Sequence, residues 1–546
     1  MVKKIITNLK LLYFFAKFFL PNSTLEKYIN FNKLKWLKKK STSENKIILV
    51  DLFYWYPLIY FWSYIVNILS KNKNLSIKFF YFPTSQNKIL DKLIFHKLKQ
   101  IYESFNCREG VHYYQIENIQ YKKFFYKKLY KRNIKNIEDL IQFKKKKIVI
   151  GDLIYDSYLR NFKKPTARSI LDENLVNTFI KSNIIFDHIF LFFKKNEVKY
   201  VIPSHVVYAE YGIVARIGDY FNSKIIKVHD MAWATANFGL KVMDKKKIFT
   251  DFPYYRYAKI FKSLPFSKKK IGLKIGKRII EQRFLGKIDN SISYMKKSSF
   301  RSNDHVKINN INIKCKKKIF LACHDLFDAV HRFKKLIFPD FFTFIIETAD
   351  FISKLNDIQL IIKPHPNGMQ GNDFYFDNLK KKYKKYENII FLDKSVSNLK
   401  ILDIGIDLAV TVHGTVAHEF AYRKIPVINA GDNPHINYNF CLHAKNKNQY
   451  FDMIKNIDKY KKNLSFNKNK IYEFMYMNYY YFLNLNNRKD LIADQMFTNN
   501  YFHKNKIISL KSGDSNSLLD FYIKNDINVS RNICKYINNF IINNLN

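Results

Sequence analysis

Cysteine, glycine, proline, arginine and acidic residues are all scarce in this chain of 546 residues, and each shortage excludes something. The five cysteines, Cys107, Cys315, Cys323, Cys441 and Cys534, are odd in number, scattered, and form no C-x-x-C pair. That argues against a disulfide framework and a cysteine zinc site, and fits a reducing compartment. Glycine (14) and proline (12) are few, and no short-period repeat occurs. Acidic residues number 45 against 94 basic ones, a formal net charge of +49, yet only 13 of the basic residues are arginine. Surfaces that read nucleic acid use arginine for bidentate contacts. Here lysine dominates and is spread along the whole chain, so nucleic acid is not expected as a partner. A solvated basic surface, or one facing anionic lipid or an anionic polymer, fits better.

Long uninterrupted apolar runs are missing too. The run Lys3–Leu20 is broken by Lys17 and ended by Pro21-Asn22, with no small-residue cleavage site after it. It is short for a membrane span and does not read as a signal peptide. It reads as a basic N-terminal helix that either lies on a membrane or packs on the protein. The run Ile47–Leu69 contains Asp51 and is divided by Pro57, so it reads as a strand, a turn and a helix.

What is present is core. Hydrophobic residues make up 47%, enough for full interiors, and the length exceeds one ordinary domain. Strands are expected at Lys46–Val50, Ile77–Phe82, Lys147–Ile150, Lys199–Ile202 and Lys224–Val228, with helices at Leu58–Leu69, Ala167–Lys194 and Tyr208–Phe221. A basic, polar stretch from about Lys287 to Lys318 reads as a connection. The alternation restarts with strands at Ile319–Cys323, Gln359–Ile362, Ile389–Leu392, Leu408–Val412 and Val427–Asn429, and helices at Asp340–Leu355, Asp377–Tyr386 and Val416–Lys424. Buried apolar strands separated by helices predict parallel, doubly wound sheets. The expected fold class is α/β, two facing Rossmann-like domains over residues 1–300 and 301–445. A helical C-terminal extension follows over 446–546, and its Asn-rich end, from about His503, is expected to be weakly ordered or loosely packed.

Two segments carry the strongest chemical signal. Asp407 to Asn433 reads D-L-A-V-T-V-H-G-T-V-A-H-E-F-A-Y-R-K-I-P-V-I-N-A-G-D-N. A strand ends, His413-Gly414-Thr415 turns, and a helix begins. Free N–H groups at such a helix start form an anion site, Gly414 permits close backbone approach, and Thr415 can cap the helix or donate to a phosphate oxygen. Glu419, one turn on, can accept from a ribose hydroxyl. Gln359 to Gly368 reads Q-L-I-I-K-P-H-P-N-G. Two prolines frame His365 at a strand's C-terminal edge, where α/β sheets bind ligands. Lys363 supplies charge, and His365 can donate to a phosphate or leaving-group oxygen.

A third segment, Cys323-His324-Asp325-Leu326-Phe327-Asp328 with His331 and Arg332, also follows a strand. Its spacing lacks the helical H-x-x-x-H form and the chain contains no D-x-D, so substrate contact is favoured over a metal site. In the first half, Asp51, Asp152, Asp156, Arg160, Ser204-His205, Tyr208 and His229-Asp230 follow strands. Asp152 or Asp156, His205 and Asp230 are each chemically able to take a proton from an acceptor hydroxyl, and Arg160 and Arg216 to hold an acceptor's anionic group.

K-P-H-P, followed about fifty residues later by V-H-G-T-x-x-x-E-F-A-Y-R-K-I-P-V-I, resembles the C-terminal domain of GT-B-fold transferases of bacterial surface polysaccharides. The capsular polysaccharide biosynthesis proteins are the nearest in pattern. Bacterial sialyltransferases and teichoic-acid glycerophosphotransferases are more distant. The resemblance covers about Lys318 to Asn433, with a weaker echo at Ile148–Arg160. It implies a GT-B fold with a nucleotide-sugar donor on the second domain, at Lys363, His365, His413, Gly414, Thr415 and Glu419. The sialyltransferase motif carries a hydroxyl pair where His413-Gly414 here precedes a single Thr415. The expectation is therefore a metal-independent, cofactor-free glycosyltransferase of capsule or surface polysaccharide synthesis. His365 would act on the leaving group, and Asp152 or His205 as base toward a glycan or lipid-linked glycan acceptor. Its expected place is the cytoplasm, peripheral at the inner face of the membrane. A glycerophosphotransferase and a non-catalytic polysaccharide-binding or export protein are the alternatives.

Overall fold

The computed structural model describes residues 23–36, 46–83, 88–230, 238–243, 254–287, 298–301, 317–333, 335–481, 515–524 and 526–545. The basic N-terminal run and most of the expected connection lie outside these residues.

The first half builds one six-stranded sheet from β1 (Lys46–Asp51), β2 (Ser76–Tyr81), β3 (Arg108–His112), β4 (Glu197–Ile202), β5 (Lys224–Asp230) and β6 (Phe238–Val242). Their order is β3-β2-β1-β4-β5-β6. All neighbours are parallel except β5 and β6. Strand β1, K-I-I-L-V-D, is buried over its last five residues, as a central parallel strand must be. The longer helices are α1 (Ser23–Trp36), α2 (Tyr56–Lys73), α3 (Lys88–Glu103), α4 (Ile119–Asn133), α5 (Gly151–Phe162), α6 (Glu173–Lys195) and α7 (Ala209–Tyr220). Pro57 sits in the first turn of α2, where its missing N–H costs nothing. Helix α6 is long and apolar enough to cross a membrane, but more than half of its apolar window is buried in the protein.

After α8 (Phe266–Phe284) the second half repeats the plan. Its sheet comprises β7 (Lys317–Ala322), β8 (Ile358–Lys363), β9 (Ile389–Phe391), β10 (Leu408–Thr411), β11 (Val427–Asn429) and β12 (Leu442–His443), in the order β9-β8-β7-β10-β11-β12. Every pairing is parallel. Helices α9 (Phe341–Ile352), α10 (Asn372–Lys382), α11 (Asn398–Asp403) and α12 (Val416–Tyr422) connect these strands. Then come α13 (Lys447–Lys455), α14 (Lys468–Tyr476), α15 (Ser515–Lys524) and α16 (Asp526–Asn544). Both sheets are therefore doubly wound Rossmann-like units, and each reverses direction between its first and fourth strands in chain order. Ligands sit at such reversal points, beyond the C-terminal ends of the strands.

Three expectations need correction. Lys147–Ile150 is no strand of the main sheet. Ile148–Val149 pairs only with Lys144–Lys145 in a small antiparallel hairpin, because Gly151 starts α5 at once, packed so closely on Leu140 that a Cβ would strike its carbonyl oxygen. The boundary at residue 300 does not divide the cores. Tyr257, Phe261 and Ile280 pack with Phe420, Phe474 and Met475 in the second domain's interior. Nor is the C-terminal end loosely packed where it is described, over residues 515–524 and 526–545; the part from His503 to residue 514 lies outside the described residues. Leu519, Tyr522, Ile533, Tyr536, Ile537, Phe540 and Ile541 bury themselves against α2 and its neighbours in the first domain. Asp526 accepts hydrogen bonds from Tyr60, Tyr64 and Lys35, and the Tyr536 hydroxyl accepts from the Leu240 amide at 2.7 Å.

Candidate active site

The reversal point of the first sheet lies between the ends of β1 and β4, and a chain of polar side chains bridges it. Asp51 closes β1 and is buried. Its Oδ2 accepts from the Ser204 amide at 3.1 Å and from the Ser204 hydroxyl. Burial pushes the Asp51 carboxyl up to about 7, while Ser204 and the nearby Lys227 pull the other way. Lys227, from β5, donates to the Ser204 carbonyl. Ser204 Oγ lies 3.1 Å from His205 Nδ1. Since that hydroxyl's proton points at Asp51, its lone pairs face the imidazole and favour a proton on Nδ1, leaving Nε2 basic. Phe53 and Tyr211 flank the His205 ring at 5.5 and 5.3 Å between centroids.

At the second sheet the same position holds a histidine cluster. His324 follows β7 and His413 follows β10, with ring centroids 4.3 Å apart. His324 Nε2 accepts from the His413 amide at 3.3 Å and lies 3.2 Å from the Thr411 hydroxyl. Phe341 stacks on His324 and Phe333 approaches His413. Burial lowers His324 to about 3 and His413 well below the ordinary value, so both are neutral at pH 7.

From the adjacent β8, Lys363 is buried and donates to Asn398 Oδ1 at 2.7 Å. Burial lowers it to about 8, with Glu419 and Asp393 opposing, so most of its charge survives at pH 7. His365, partly buried, accepts from the Asn367 amide through Nδ1 at 3.2 Å. Its proton therefore resides on Nε2, a neutral donor, and desolvation lowers its pKa.

The halves meet through named contacts. Tyr208 OH donates to Asp328 Oδ1 at 2.9 Å and accepts from the Ala329 amide at 3.1 Å. Arg160 reaches Asp328 at 3.4 Å. Asp156 holds His331 by its backbone N–H and by Nδ1 at 2.7 Å, both residues buried. Tyr155 OH donates to Asp340 Oδ2 at 2.7 Å. Tyr208 adopts φ 64, ψ 152, and Ala329 φ 34. Both are conformations side chains rarely take, held here by an interdomain contact.

Several sequence expectations change in this light. Asp152 is not placed as a base. Arg216 grips both its oxygens at 2.6 and 2.7 Å, so Arg216 is not an anion holder either. Asp156 is occupied by His331. Glu419 is buried and accepts from Arg283 at 3.2 Å rather than standing open to a ribose. Thr415 makes no side-chain cap, and α12 spans only seven residues, which gives little dipole. At Gly414 a Cβ would lie 2.7 Å from Thr411 Oγ1, so the glycine serves packing between β10 and its own turn. The His324–His331 segment spreads its groups over different partners, with Asp325 accepting from the Phe327 and Met369 amides. No cluster of metal-ligating side chains occurs among the described residues. The side chains of His229 and Asp230 lie outside what the structure describes. Arg283 had no signal in the sequence, since it reaches Glu419 from a helix outside both motifs.

Two Rossmann-like units thus present the C-terminal ends of their strands on either side of one interface. The fold is of the GT-B type. No family model and no curated protein matches the chain. Solved structures with similarity include a KpsC beta-Kdo 2,4 transferase from Thermosulfurimonas dismutans, at 10% identity over 51% of this chain and 79% of that one, with a TM-score of 0.30. The UDP-GlcNAc 2-epimerase of Neisseria meningitidis bound to UDP-GlcNAc shares 10% identity over 81% and 99%, TM-score 0.25. Anabaena HepE with UDP and glucose shares 7% over 82% and 99%, TM-score 0.26. At these identities no residue's role passes from those proteins to this GT-B chain.

Proposed function

We propose that this protein is a GT-B transferase that moves a sugar from a nucleotide-activated donor to a growing surface glycan, such as a capsule. The observation that carries the reading is the pairing of two unlike half-sites at the C-terminal strand ends of the two sheets. One offers a basic imidazole backed by a carboxylate. The other offers a charged lysine and a neutral imidazole N–H.

In this reading the donor phosphate lies over the ends of β8 and β10. His365 Nε2–H donates to the departing phosphate oxygen, and the Lys363 charge beneath offsets the negative charge that develops there. His413 is a neutral wall of the site. His205 Nε2 takes the proton of the acceptor hydroxyl as that oxygen attacks the sugar, while Ser204 and Asp51 hold the ring. The donor brings its own activation, so no resident cofactor is invoked, and protein groups rather than a divalent cation carry the leaving-group charge.

A thermal-shift screen with UDP, GDP, CMP, CDP and their sugars tests the donor side, because binding to the folded state raises stability by mass action. One nucleotide class should stabilise the wild type and fail to stabilise His365→Ala. If none does, the donor reading falls. Turnover with the donor so identified should survive EDTA, and loss restored by Mg²⁺ or Mn²⁺ would refute the metal-free step.

A further inference from the structure

We infer that α4, residues Ile119–Asn133, is a docking face for an anionic lipid bilayer. Its sequence, I-Q-Y-K-K-F-F-Y-K-K-L-Y-K-R-N, contains six cations and no acid. One face is spent on the protein. Tyr126 and Tyr130 are buried, with Tyr126 packed beside Ile180 and Ile184 of α6 and Tyr130 bonded to the Ile170 carbonyl at 2.6 Å. The opposite face carries Tyr121 at 74% exposure, Phe124 at 60% and Phe125 at 51%. Their i, i+3, i+4 spacing puts the three rings side by side.

Lone exposed apolar residues need no explanation, but three adjacent aromatics on one helix do. The cations complete the pattern. Lys123, Lys127, Lys128, Lys131 and Arg132 are exposed, and none of them enters an ion pair among the described residues. Lys128 lies 4.4 Å from the Phe124 ring centroid, so charge and aromatic surface share one face. Rings that enter the headgroup boundary beside lysines that meet anionic headgroups are the chemistry of an interfacial helix. Single-stranded nucleic acid also meets aromatics and cations, but in a groove that tracks its backbone. Helix α4 instead follows β3, the edge strand of its sheet, and its exposed residues include a single arginine. This inference stands apart from the donor reading, since it concerns neither the reversal points nor the nucleotide.

The test uses the full chain and co-sedimentation with vesicles of phosphatidylcholine, alone or mixed with phosphatidylglycerol. Wild type should bind the mixed vesicles and keep part of that binding in high salt. Replacing Tyr121, Phe124 and Phe125 together by serine should lower partition at least about tenfold and remove the salt-resistant part. Replacing Lys127, Lys128 and Lys131 together by glutamine should lower it about a hundredfold at low salt, at about fivefold per charge. The same change at the exposed Lys380, Lys381 and Lys382 of α10 should leave it within about twofold, since that helix offers no comparable aromatic face. Separately, Phe124→Trp should shift its emission to the blue on adding mixed vesicles. Wild-type partition in the serine variant, or an unmoved emission, overturns the inference. So does binding of single-stranded RNA, lost in these variants, without vesicle binding.

Discussion

Asp152 and His205 look equivalent in sequence, each polar and each placed after an apolar run, yet their surroundings assign them different work. Asp152 faces a two-pronged guanidinium. Asp152→Asn should therefore cost about 2–3 kcal/mol of stability, read by urea denaturation, and leave nucleotide affinity unchanged. His205→Gln should do the reverse, abolishing transfer while the nucleotide-induced thermal shift persists. His331 adds a pH signature. Burial lowers its pKa, but Asp156 more than compensates and raises it above 6.5. A group that holds its proton more tightly when folded stabilises the fold fully below its unfolded value, and that stabilisation disappears as pH climbs through the folded value. Asp156 is itself raised by burial and acts in the same direction at lower pH. Measured upward from pH 6.5, the stability of the wild type relative to His331→Gln should fall.

Elements differ in how far they could be read beforehand. Strands β1, β4, β7, β8 and β10 were legible because each is a buried apolar run ending abruptly in polar residues, and that ending also marked the site. Strand β3, R-E-G-V-H, was not. As an edge strand it buries only Val111 and His112, so neither alternation nor an apolar run announces it. The pairings Asp152–Arg216 and Glu419–Arg283 span long stretches of chain, and nothing local signals them. In α16 the apolar spacing was present, but abundant asparagine on its outer face masked it. The correction can be measured. Ile537 is 1% exposed, and Ile537→Ala should cost about 2–5 kcal/mol. Asn538, whose side chain makes an exposed bond to Asn72, should tolerate alanine within about 0.5 kcal/mol. Equal effects at both positions would contradict the packing described.

At the scale of the whole molecule, the two domains are clasped at Tyr208, where backbone strain of about 1–3 kcal/mol is opposed by hydrogen bonds to Asp328 and Ala329. Tyr208→Phe keeps the strain and removes both bonds. Small-angle scattering should then show a larger radius of gyration with the circular dichroism unchanged. The crossing of the chain between domains has a further consequence, for biosynthesis. Among the described residues, the second domain's interior is drawn from the chain up to Tyr481, but the first domain's interior waits for α16, whose last packed residue is Leu545. As the polypeptide emerges from the ribosome, the half made first is therefore finished last. Until then, the apolar side chains of α2 that α15 and α16 will cover stand open to solvent, an interval in which the nascent chain is prone to aggregate.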